Sequence, residues 1–349
     1  MEWAKREHSK RSIDKAGRAL ISGDFSNYQN GVMDALEIVN NWRVSHNYPL
    51  NTFKVTLHDR SKTIDKNALI AQRIKRLSSI ELKLKRYPKM NLSQMQDLGG
   101  CRAVLGTITH VRKLVSLYKH RPLTHELNRI DDYIQSPKDS GYRGIHLIYK
   151  AQYKTPSSQI YNDQYIEIQL RSKIQHLWAT AVETAGTFLR QSLKSSQGEE
   201  DWLRFFQLAG SAFALKEKAP LVPNTPTEKS ELIKELKEYS EKLNVFRTLS
   251  MFGHAIQISD EEIYRKRNYK YFLLVLRPKE NRMSVSGFSK SEMAKAAAKY
   301  VEIENQISLG SIDGNAVLVS VDSFSSLKKA YPNYFLDTTL FLEELKELI

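Results

Sequence analysis

The sequence is poor in cysteine and has no long apolar run. Its 349 residues include a single cysteine, Cys101. One cysteine excludes an internal disulfide and any zinc site built on several cysteines. No apolar stretch approaches the roughly 18–20 residues that span a bilayer. The first ten residues, MEWAKREHSK, lack the apolar core of a secretory signal. These absences predict a cytoplasmic protein without disulfides and without a membrane partner.

The common nucleotide-binding and hydrolase motifs are also missing. The sequence contains no G-x-x-x-x-G-K-[ST], no G-x-G-x-x-G, no H-E-x-x-H and no G-x-S-x-G. The pair His58-Asp59 offers too few ligands for a metal site, which needs several that converge. The sequence therefore gives no reason to expect P-loop, Rossmann-type, zincin or serine-hydrolase chemistry.

The charge is strongly of one sign. Lysine and arginine number 53 against 39 acids, which gives a formal net charge of +14. A surplus of this size favours a polyanionic partner, such as a nucleic acid or a nucleotide. Hydrophobic residues make up 41% and charged residues 26%, an ordinary globular composition. The length suits two or three domains.

The first part of the chain is predicted to be helical. Up to about residue 60, apolar residues such as Leu36, Val39 and Trp42 recur at helical spacing. A second helix is predicted over residues 66–88, with an apolar stripe, an almost uniformly positive remainder and Pro88 at its end. On one helix, Arg73 and Lys83 would lie about three turns apart.

Strands mixed with helices are predicted further on, which indicates an α/β or α+β domain. The predicted strands are 102–105, 131–134, 142–149 and 165–170, and the predicted helices are 109–120 and 172–192. A proline-rich stretch at 216–230 is typical of a linker. After it we expect a helix at 231–250 and a small β-α-β-α-α module: 269–276, 289–307, 316–321, 323–331 and 337–349.

Two polar groups suit phosphate chemistry. The basic segment with Arg73, Lys75, Ser79 and Lys83 could hold a triphosphate, although a charged helix face is often only solvated. In Asp97-Leu-Gly-Gly-Cys-Arg102, an acid stands just before a strand, where Mg²⁺ is held against nucleotide phosphates. A turn or helix-cap role for this acid is the alternative.

Two further groups could meet an acceptor. The loop Pro-Lys138-x-x-Gly-Tyr142 offers a cation and an aromatic face that could stack on a base, or it is an ordinary hairpin loop. In the strand 165–171, alternation puts Glu167, Gln169 and Arg171 on one face. Glu167 could share Mg²⁺ with the first acid or accept a proton from a hydroxyl, unless the strand is a solvent-facing edge.

Together these motifs resemble the synthetase domain of the RelA/SpoT proteins over residues 65 to about 190. They are Arg73-x-Lys75-x-x-x-Ser79-Ile-x-x-Lys83, Asp97-Leu-Gly-Gly-Cys-Arg102, Asp132-Tyr-Ile-x-x-Pro-Lys138-x-x-Gly-Tyr142-Arg-Gly-Ile-His146 and Glu167-Ile-Gln169-Leu-Arg171. The resemblance implies an α+β fold of the nucleotidyltransferase type, a mixed β-sheet flanked by helices. It also implies Mg²⁺-dependent transfer of the β,γ-pyrophosphate of ATP to a ribose 3′-hydroxyl.

The resemblance implies a role for each matched residue. Those implied to bind ATP are Arg73 and Arg102 beside the base and Lys75, Ser79 and Lys83 at the phosphates. Asp97 and Glu167 would hold Mg²⁺, and Glu167 with Gln169 would activate the acceptor hydroxyl. Lys138, Tyr142 and His146 would position the acceptor, Tyr142 by stacking.

The resemblance also divides the chain. The expected parts are an N-terminal helical segment (1–60), a pyrophosphokinase domain (61–215), a linker (216–230) and a C-terminal regulatory domain with a leading helix (231–349). The first part is too short for the hydrolase domain of long RelA/SpoT proteins. A small synthetase without hydrolysis is therefore expected.

The C-terminal part resembles the antitoxin-like, degenerate zinc-finger domain of the CapRel group of fused toxin–antitoxins. In that group a Tyr-x-x-Tyr motif covers the ATP site, and a phage capsid or other phage protein relieves the block. Tyr331 and Tyr334 match the motif here. Two aromatics in a small core are the alternative.

The motifs leave the acceptor open, because guanine nucleotides and the 3′ end of tRNA both present a ribose 3′-hydroxyl. A tRNA acceptor, whose modification blocks translation, is favoured by the net charge of +14. Phosphate contacts are predicted at Lys10, Arg11, Lys15 and Arg18. The alternatives are a (p)ppGpp synthetase of the stringent response, which uses GDP or GTP, and an inactive RNA-binding module.

Overall fold

The protein is described by a computed structural model that covers residues 3–188, 199–254, 257–259, 269–277, 280, 282–321, 324–331 and 338–349. The helices in these ranges are α1 (Lys10–Ser22), α2 (Val32–Ser45), α3 (Asn47–Ile64), α4 (Leu77–Arg86), α5 (Ile108–His120), α6 (Lys173–Phe188), α7 (Glu200–Lys216), α8 (Lys229–Lys242), α9 (Val245–His254), α10 (Met293–Ser308), α11 (Phe324–Ala330) and α12 (Thr339–Lys346). The strands are β1 (Leu69–Ile74), β2 (Gly99–Leu105), β3 (Glu126–Asp132), β4 (Ile145–Lys150), β5 (Tyr165–Ser172), β6 (Gln257–Ser259), β7 (Tyr269–Arg277), β8 (Arg282–Ser289) and β9 (Asn315–Ser320).

The described strands form one mixed sheet in the order β3-β4-β5-β2-β1-β9-β7-β8-β6. β2 and β5 run parallel, whereas β1 pairs antiparallel with β2 on one side and with β9 on the other. The pairing of β1 with β9 spans only Gln72↔Ser320 and Arg73↔Val319. This short ladder joins the C-terminal strands to the central ones. The predicted α+β fold, a mixed sheet flanked by helices, is confirmed.

The two faces of β5 differ as its alternation predicts. Ile166, Ile168 and Leu170 are fully buried in a core with residues of α3 and α5. Their neighbours Glu167, Gln169 and Arg171 lie on the opposite face. Because β4 and β2 pair with β5 on either side, the strand is central, and its polar residues are enclosed.

The single helix predicted over residues 66–88 is wrong. Residues 69–74 form β1, and the helix α4 begins only at Leu77. Ile70, Ala71 and Ile74 are buried, because strands flank β1 on both sides. Strand pairing far along the chain overrides the local helical pattern. The basic residues are therefore shared between a strand, a turn and a helix.

Two further differences lie in the C-terminal half. The helix predicted at 231–250 is split into α8 and α9 at Asn244, whose φ is 49°. The strand β8 was missed, although Met283 and Val285 point into the core while Arg282 and Ser286 are exposed. It pairs with β7 along its length.

The last helix packs against other helices. Phe341 and Leu345 of α12 are buried in one core with α6, α7, α8 and α9. The chain thus leaves this helical core after α9, contributes strands to the sheet, and returns to the core at α12. No helix in the described ranges is both long and apolar enough to cross a membrane.

Candidate active site

Asp97 lies between two lysines. Lys75 follows β1, and its backbone N–H donates to the Leu98 carbonyl at 2.8 Å, which brings the end of β1 beside the start of β2. The ammonium groups of Lys75 and Lys83 lie 2.8 and 2.9 Å from the two oxygens of Asp97. Burial alone would raise the pKa of Asp97, but the two lysines outweigh it and lower the pKa. The carboxylate is thus charged, and its partners are Lys75, just after β1, and Lys83 on α4.

A second carboxylate belongs to a closed polar ring, which we call the Glu167 network. Glu167 Oε1 contacts His146 Nδ1 at 2.8 Å, and Gln169 Nε2 donates to Oε2 at 2.6 Å. The ring closes through Arg171, which donates at 3.2 Å to both Gln169 Oε1 and the Tyr142 hydroxyl. Tyr142 in turn lies 2.5 Å from His146 Nε2. Register explains the cluster, since His146 on β4 is paired with Gln169 on β5.

The charges of this network support one another. Burial opposes a charged imidazole, but Tyr142 and Glu167 outweigh it and raise the pKa of His146 to about 9. Burial likewise opposes the charge of Glu167, and contact with His146 lowers its pKa well below the usual range. Glu167 is therefore a carboxylate held by a cation at neutral pH.

The two carboxylates are close enough to repel, because the charge of Glu167 acts to raise the pKa of Asp97. Glu167 lies beside Gly100 in the sheet, three residues after Asp97. In the described part of the chain, no group of three or more His, Cys, Asp or Glu side chains could hold a metal ion. Mg²⁺ is usually bound by one or two carboxylates together with substrate phosphates, so this pair of acids fits it.

Arg73 and Arg102 share a face of the sheet on adjacent strands. Arg102 is paired with Ala71, two residues from Arg73. Burial, with repulsion from Arg171 and Arg73, lowers the pKa of Arg102 to about 10. An excess of buried positive charge therefore lies on this face.

Tyr331 covers that positive face. Its ring centroid lies 5.0 Å from the Arg102 guanidinium carbon, and its hydroxyl donates to the Gln72 carbonyl at 3.2 Å. Close by, His176 Nε2 donates to the Lys329 carbonyl at 3.1 Å. Sequence reasoning missed Gln72 and His176, which carry no recognisable signal. Tyr334 lies outside the described residues.

Of the residues predicted to position the acceptor, Tyr142 is buried and Lys138 is exposed. Tyr142 is only 4% exposed, and both Lys138 Nζ and the Arg171 guanidinium lie over its ring, at 5.6 and 5.2 Å from the centroid. The half-buried Tyr133, which sequence reasoning also missed, has Lys138 Nζ 4.1 Å from its own ring centroid. Stacking on Tyr142 remains a prediction.

The remaining predicted residues lie on the helices α4 and α1. Ser79 is half-buried on α4. The four basic residues of α1 are exposed, and one of them, Arg18, donates to Asn91 at 2.8 Å. α1 packs on α4 with Gly17 against Leu84 and Leu92. Contact of the four basic residues of α1 with tRNA stays a prediction.

Comparison with known proteins agrees with the motifs. Residues 72–188 match the family described as "Region found in RelA / SpoT proteins". GTP pyrophosphokinase YwaC of Bacillus subtilis (strain 168) is 31% identical over 116 residues, 31% of this chain and 52% of that protein. GTP pyrophosphokinase YjbM of the same organism is 30% identical over 114 residues, 32% of this chain and 52% of that protein.

Among solved structures, the small alarmone synthetase 1 from Bacillus subtilis bound to its product pppGpp is similar with a TM-score of 0.43 and 22% identity. The match covers 51% of this chain and 91% of that one. The chain spans about half the length of the curated relatives. The match to the region found in RelA/SpoT proteins spans residues 72–188.

Proposed function

We propose that this protein is an ATP-dependent pyrophosphokinase, which transfers the β,γ-pyrophosphate of ATP to a ribose 3′-hydroxyl. The observation that carries the proposal is the pair Asp97 and Glu167, each held by cations on the polar face of the sheet. Phosphoryl-type transfer needs positioning and charge neutralisation more than covalent chemistry. The curated relatives that the central region matches are named GTP pyrophosphokinases.

On the donor side, the lysines would exchange partners. Lys75 and Lys83 are 18% and 27% exposed and have long flexible stems. When ATP binds, they would turn from Asp97 to the phosphates, with Ser79 nearby on α4. Asp97 would then be free to hold Mg²⁺ together with Glu167, and the bound ion would supply neutralisation of phosphate charge. Arg73 and Arg102 would flank the adenine.

On the acceptor side, Glu167 would accept the proton of the attacking 3′-hydroxyl. Gln169 and His146 hold its two oxygens and fix its orientation. Because the low pKa of Glu167 depends on His146, a substrate that displaces His146 would make Glu167 more basic.

We propose the 3′ end of tRNA as the acceptor. A net charge of +14 and the exposed lysines and arginines of α1 suit a polynucleotide backbone. The second candidate is GDP or GTP, favoured by the names of the curated relatives. Mononucleotide binding gives no reason for so large a surplus of charge.

Label transfer from γ-³²P-ATP tests both candidates in one reaction. The full-length protein is incubated with Mg²⁺, GDP, GTP and deacylated tRNA, and the products are separated. Label on tRNA would support the first candidate, and label on guanine nucleotide would support the second. Either label should disappear with Glu167→Gln. If no acceptor is labelled by a variant freed from the inhibition proposed next, the protein is not a pyrophosphokinase.

We further propose that the C-terminal part inhibits the enzyme. Tyr331 lies over Arg102, where the adenine would stack, and its hydroxyl and the Lys329 carbonyl engage Gln72 and His176. A phage capsid protein or another phage protein would release this contact, as the resemblance to the CapRel group implies. A trigger can do so only through a higher affinity for the released state.

Expression in bacteria tests the inhibition. Tyr331→Ala should halt growth without a trigger, and Tyr331→Ala combined with Glu167→Gln should not. Tyr331→Phe keeps the ring over Arg102 and is the matched control. Harmless Tyr331→Ala, at normal expression and with transfer activity no higher than wild type, would contradict inhibition. Truncation is a poorer test, because removal after residue 215 would strip α8, α9 and α12 from their core.

A further inference from the structure

We propose that α10 of the C-terminal part completes the donor site, because its Glu304 positions the two lysines that face Asp97. The inference rests on the proposed function and deepens it, since Lys75 and Lys83 are the residues proposed there to bind the phosphates of ATP. Glu304 is 4% exposed and accepts the backbone N–H of Leu77, 227 positions earlier in the chain. It acts through the backbone of the donor segment and is therefore a positioning residue.

The turn 75–77 joins the two elements that carry the donor lysines. Lys75 follows β1, and Lys83 lies on α4, six residues after the start of that helix at Leu77. At about 1.5 Å per residue, Lys83 is about 9 Å along the helix from the turn. Because a short helix moves as a unit, a shift at the turn changes the position of both ammonium groups.

A buried ion pair between α2 and α10 holds both ends of this turn. Arg43 of α2 donates through Nε and Nη2 to the Lys75 carbonyl, at 3.1 and 2.8 Å. Glu304 accepts the Leu77 N–H at 3.1 Å with Oε1 and pairs with the Arg43 guanidinium through Oε2. Arg43 also donates to the hydroxyl of Tyr300, another residue of α10, at 3.0 Å. The carbonyl at one end of the turn and the N–H at the other are thus fixed together.

The helix α4 depends on the C-terminal part for the cap at its start. Arg76, the residue before the helix, carries only donors on its guanidinium and therefore cannot accept a backbone N–H. It donates instead to Asn315 at the start of β9, at 3.3 Å. Glu304 supplies the acceptor that the first helical turn needs. The C-terminal part therefore holds the donor segment, and it also places Tyr331 over Arg102.

These two roles of the C-terminal part lie on different elements. Tyr331 directly follows α11, whereas Glu304 lies on α10, and β9 comes between them in the chain. If Tyr331 leaves and α10 stays, the donor face opens with its lysines in place. If α10 leaves as well, Arg43 loses its buried counter-charge and α4 loses its cap. Activation therefore requires that Tyr331 is released while α10 stays bound.

Kinetics and binding in a released background test the inference. Every variant carries Tyr331→Ala, and the parent is that single variant. Arg43→Met with Glu304→Met removes both ties to the turn, and replacing a buried ion pair by apolar residues of similar size is often neutral for stability. The KM for ATP, and the Kd of a non-hydrolysable ATP analogue with Mg²⁺, should rise by about 10-fold or more, because a misplacement of about 1 Å can cost about 100-fold. The KM for the acceptor should not change, because the alteration is confined to the donor side.

Two further variants separate positioning from stability. Lys299→Gln with Glu302→Gln removes an exposed ion pair of 2.9 Å on the same helix and should leave the KM for ATP unchanged. A merely structural role of the buried pair would lower the active fraction, and so kcat, without raising the KM for ATP. Arg43→Lys keeps the charge opposite Glu304 but gives up the two-pronged bond to the Lys75 carbonyl. It should raise the KM for ATP by a smaller factor than the double variant.

The outcomes separate the inference from the proposed function. A double variant that melts like its parent and keeps its KM for ATP would overturn the inference, and so would a fall in kcat alone. Should the double variant fail to fold, an unchanged KM for ATP in Arg43→Lys would overturn it equally. Weakened binding of the ATP analogue, without transfer to any acceptor by the parent, would sink the proposed function and leave the inference standing. A parent that does not bind the analogue would overturn both.

Discussion

Two of the places where this protein buries charge do so in opposite ways. On the polar face of the sheet, Asp97 meets two lysines whose side chains are 18% and 27% exposed. Where α10 meets α2 and α4, Arg43 is 1% exposed and pairs with Glu304 of α10. The proposed function requires the first pair of contacts to exchange with substrate, and its cations are partly exposed to solvent. The second cannot exchange, because it is dry and saturated.

The details of the second place explain its rigidity. Arg43 donates to the Lys75 carbonyl at 3.1 and 2.8 Å, to Asn40 at 2.5 Å and to the Tyr300 hydroxyl at 3.0 Å. Glu304 also accepts the backbone N–H of Leu77 at 3.1 Å. The helix α4 has no side-chain cap of its own at this end, so a residue 227 positions away supplies the acceptor. A substrate site needs ion pairs that can be exchanged for contacts with substrate. A junction between helices needs ion pairs that stay closed.

The largest effect is expected at the junction. Glu304→Ala leaves Arg43 buried without its counter-charge and should lower the free energy of unfolding by about 3–5 kcal/mol. Glu302→Ala is the matched control on the same helix, where an exposed pair with Lys299 should be worth within about 1 kcal/mol. Urea unfolding measures both. Equal losses in the two variants would show that the buried pair is not special.

The core that α12 shares with α6, α7, α8 and α9 is apolar, unlike the charged junction at α10. Phe341 is buried, and its ring lies 5.6 Å from that of Phe213 on α7. Phe341→Ala should cost about 3–5 kcal/mol in unfolding free energy. Leu340→Ala, on the same helix at a residue 45% exposed, should cost well under half as much. A small loss at Phe341 would mean that α12 is detached in solution.

Mild acid should destabilise the protein through His46 before it affects Asp97 and Glu167. His46 is fully buried, and burial lowers its pKa to about 4 despite its bond to the Trp42 carbonyl. The unfolded chain, with a histidine pKa of about 6.5, takes up the proton first. Stability should therefore fall as pH drops from about 6.5 to 4, by on the order of 3 kcal/mol in all.

Over most of that range Asp97 and Glu167 keep their charge, because their pKa values are lowered. Their own contribution is lost only as pH falls below the ordinary carboxyl range. His46→Gln should flatten the slope between pH 6.5 and 5, and His58→Gln, at a more exposed histidine, should not. Identical slopes in wild type and His46→Gln would refute the assignment.

The smallest effect on stability is expected at the catalytic face. Asp97→Asn leaves two partly hydrated lysines, so the free energy of unfolding should change by no more than about 1 kcal/mol. Label transfer by the same variant, measured in the Tyr331→Ala background, should fall by about 100-fold or more because a proposed Mg²⁺ ligand is gone. A stability loss as large as that of Glu304→Ala would erase the distinction between the regions.

Local pattern was enough for much of the site. The alternation of β5 predicted which side chains share a face with Glu167. The position of Asp97 just before β2 predicted that this acid lies near Glu167. Both follow from strand geometry, which is written in neighbouring residues. The order of the four motifs was enough to indicate the RelA/SpoT family.

Contacts between distant parts were beyond that pattern. Residues 69–74 look helical by themselves and become a strand because β2 and β9 lie on either side. The sequence predicts that the ring of Tyr142 is available for stacking. In the structure its hydroxyl contacts His146, and its ring is buried against Trp178. Nothing in the local sequence marks Tyr133 as the more accessible ring.

The sequence by itself determined the chemistry available here: two carboxylates, a basic segment and a surplus of positive charge, because residue type and spacing set what a side chain can bind. Only the tertiary structure decided which of these groups meet. Arg43 and Glu304 lie 261 positions apart, and Tyr331 and Gln72 lie 259 apart. Such contacts arise from burial and sheet pairing across the whole chain, and no local period encodes them.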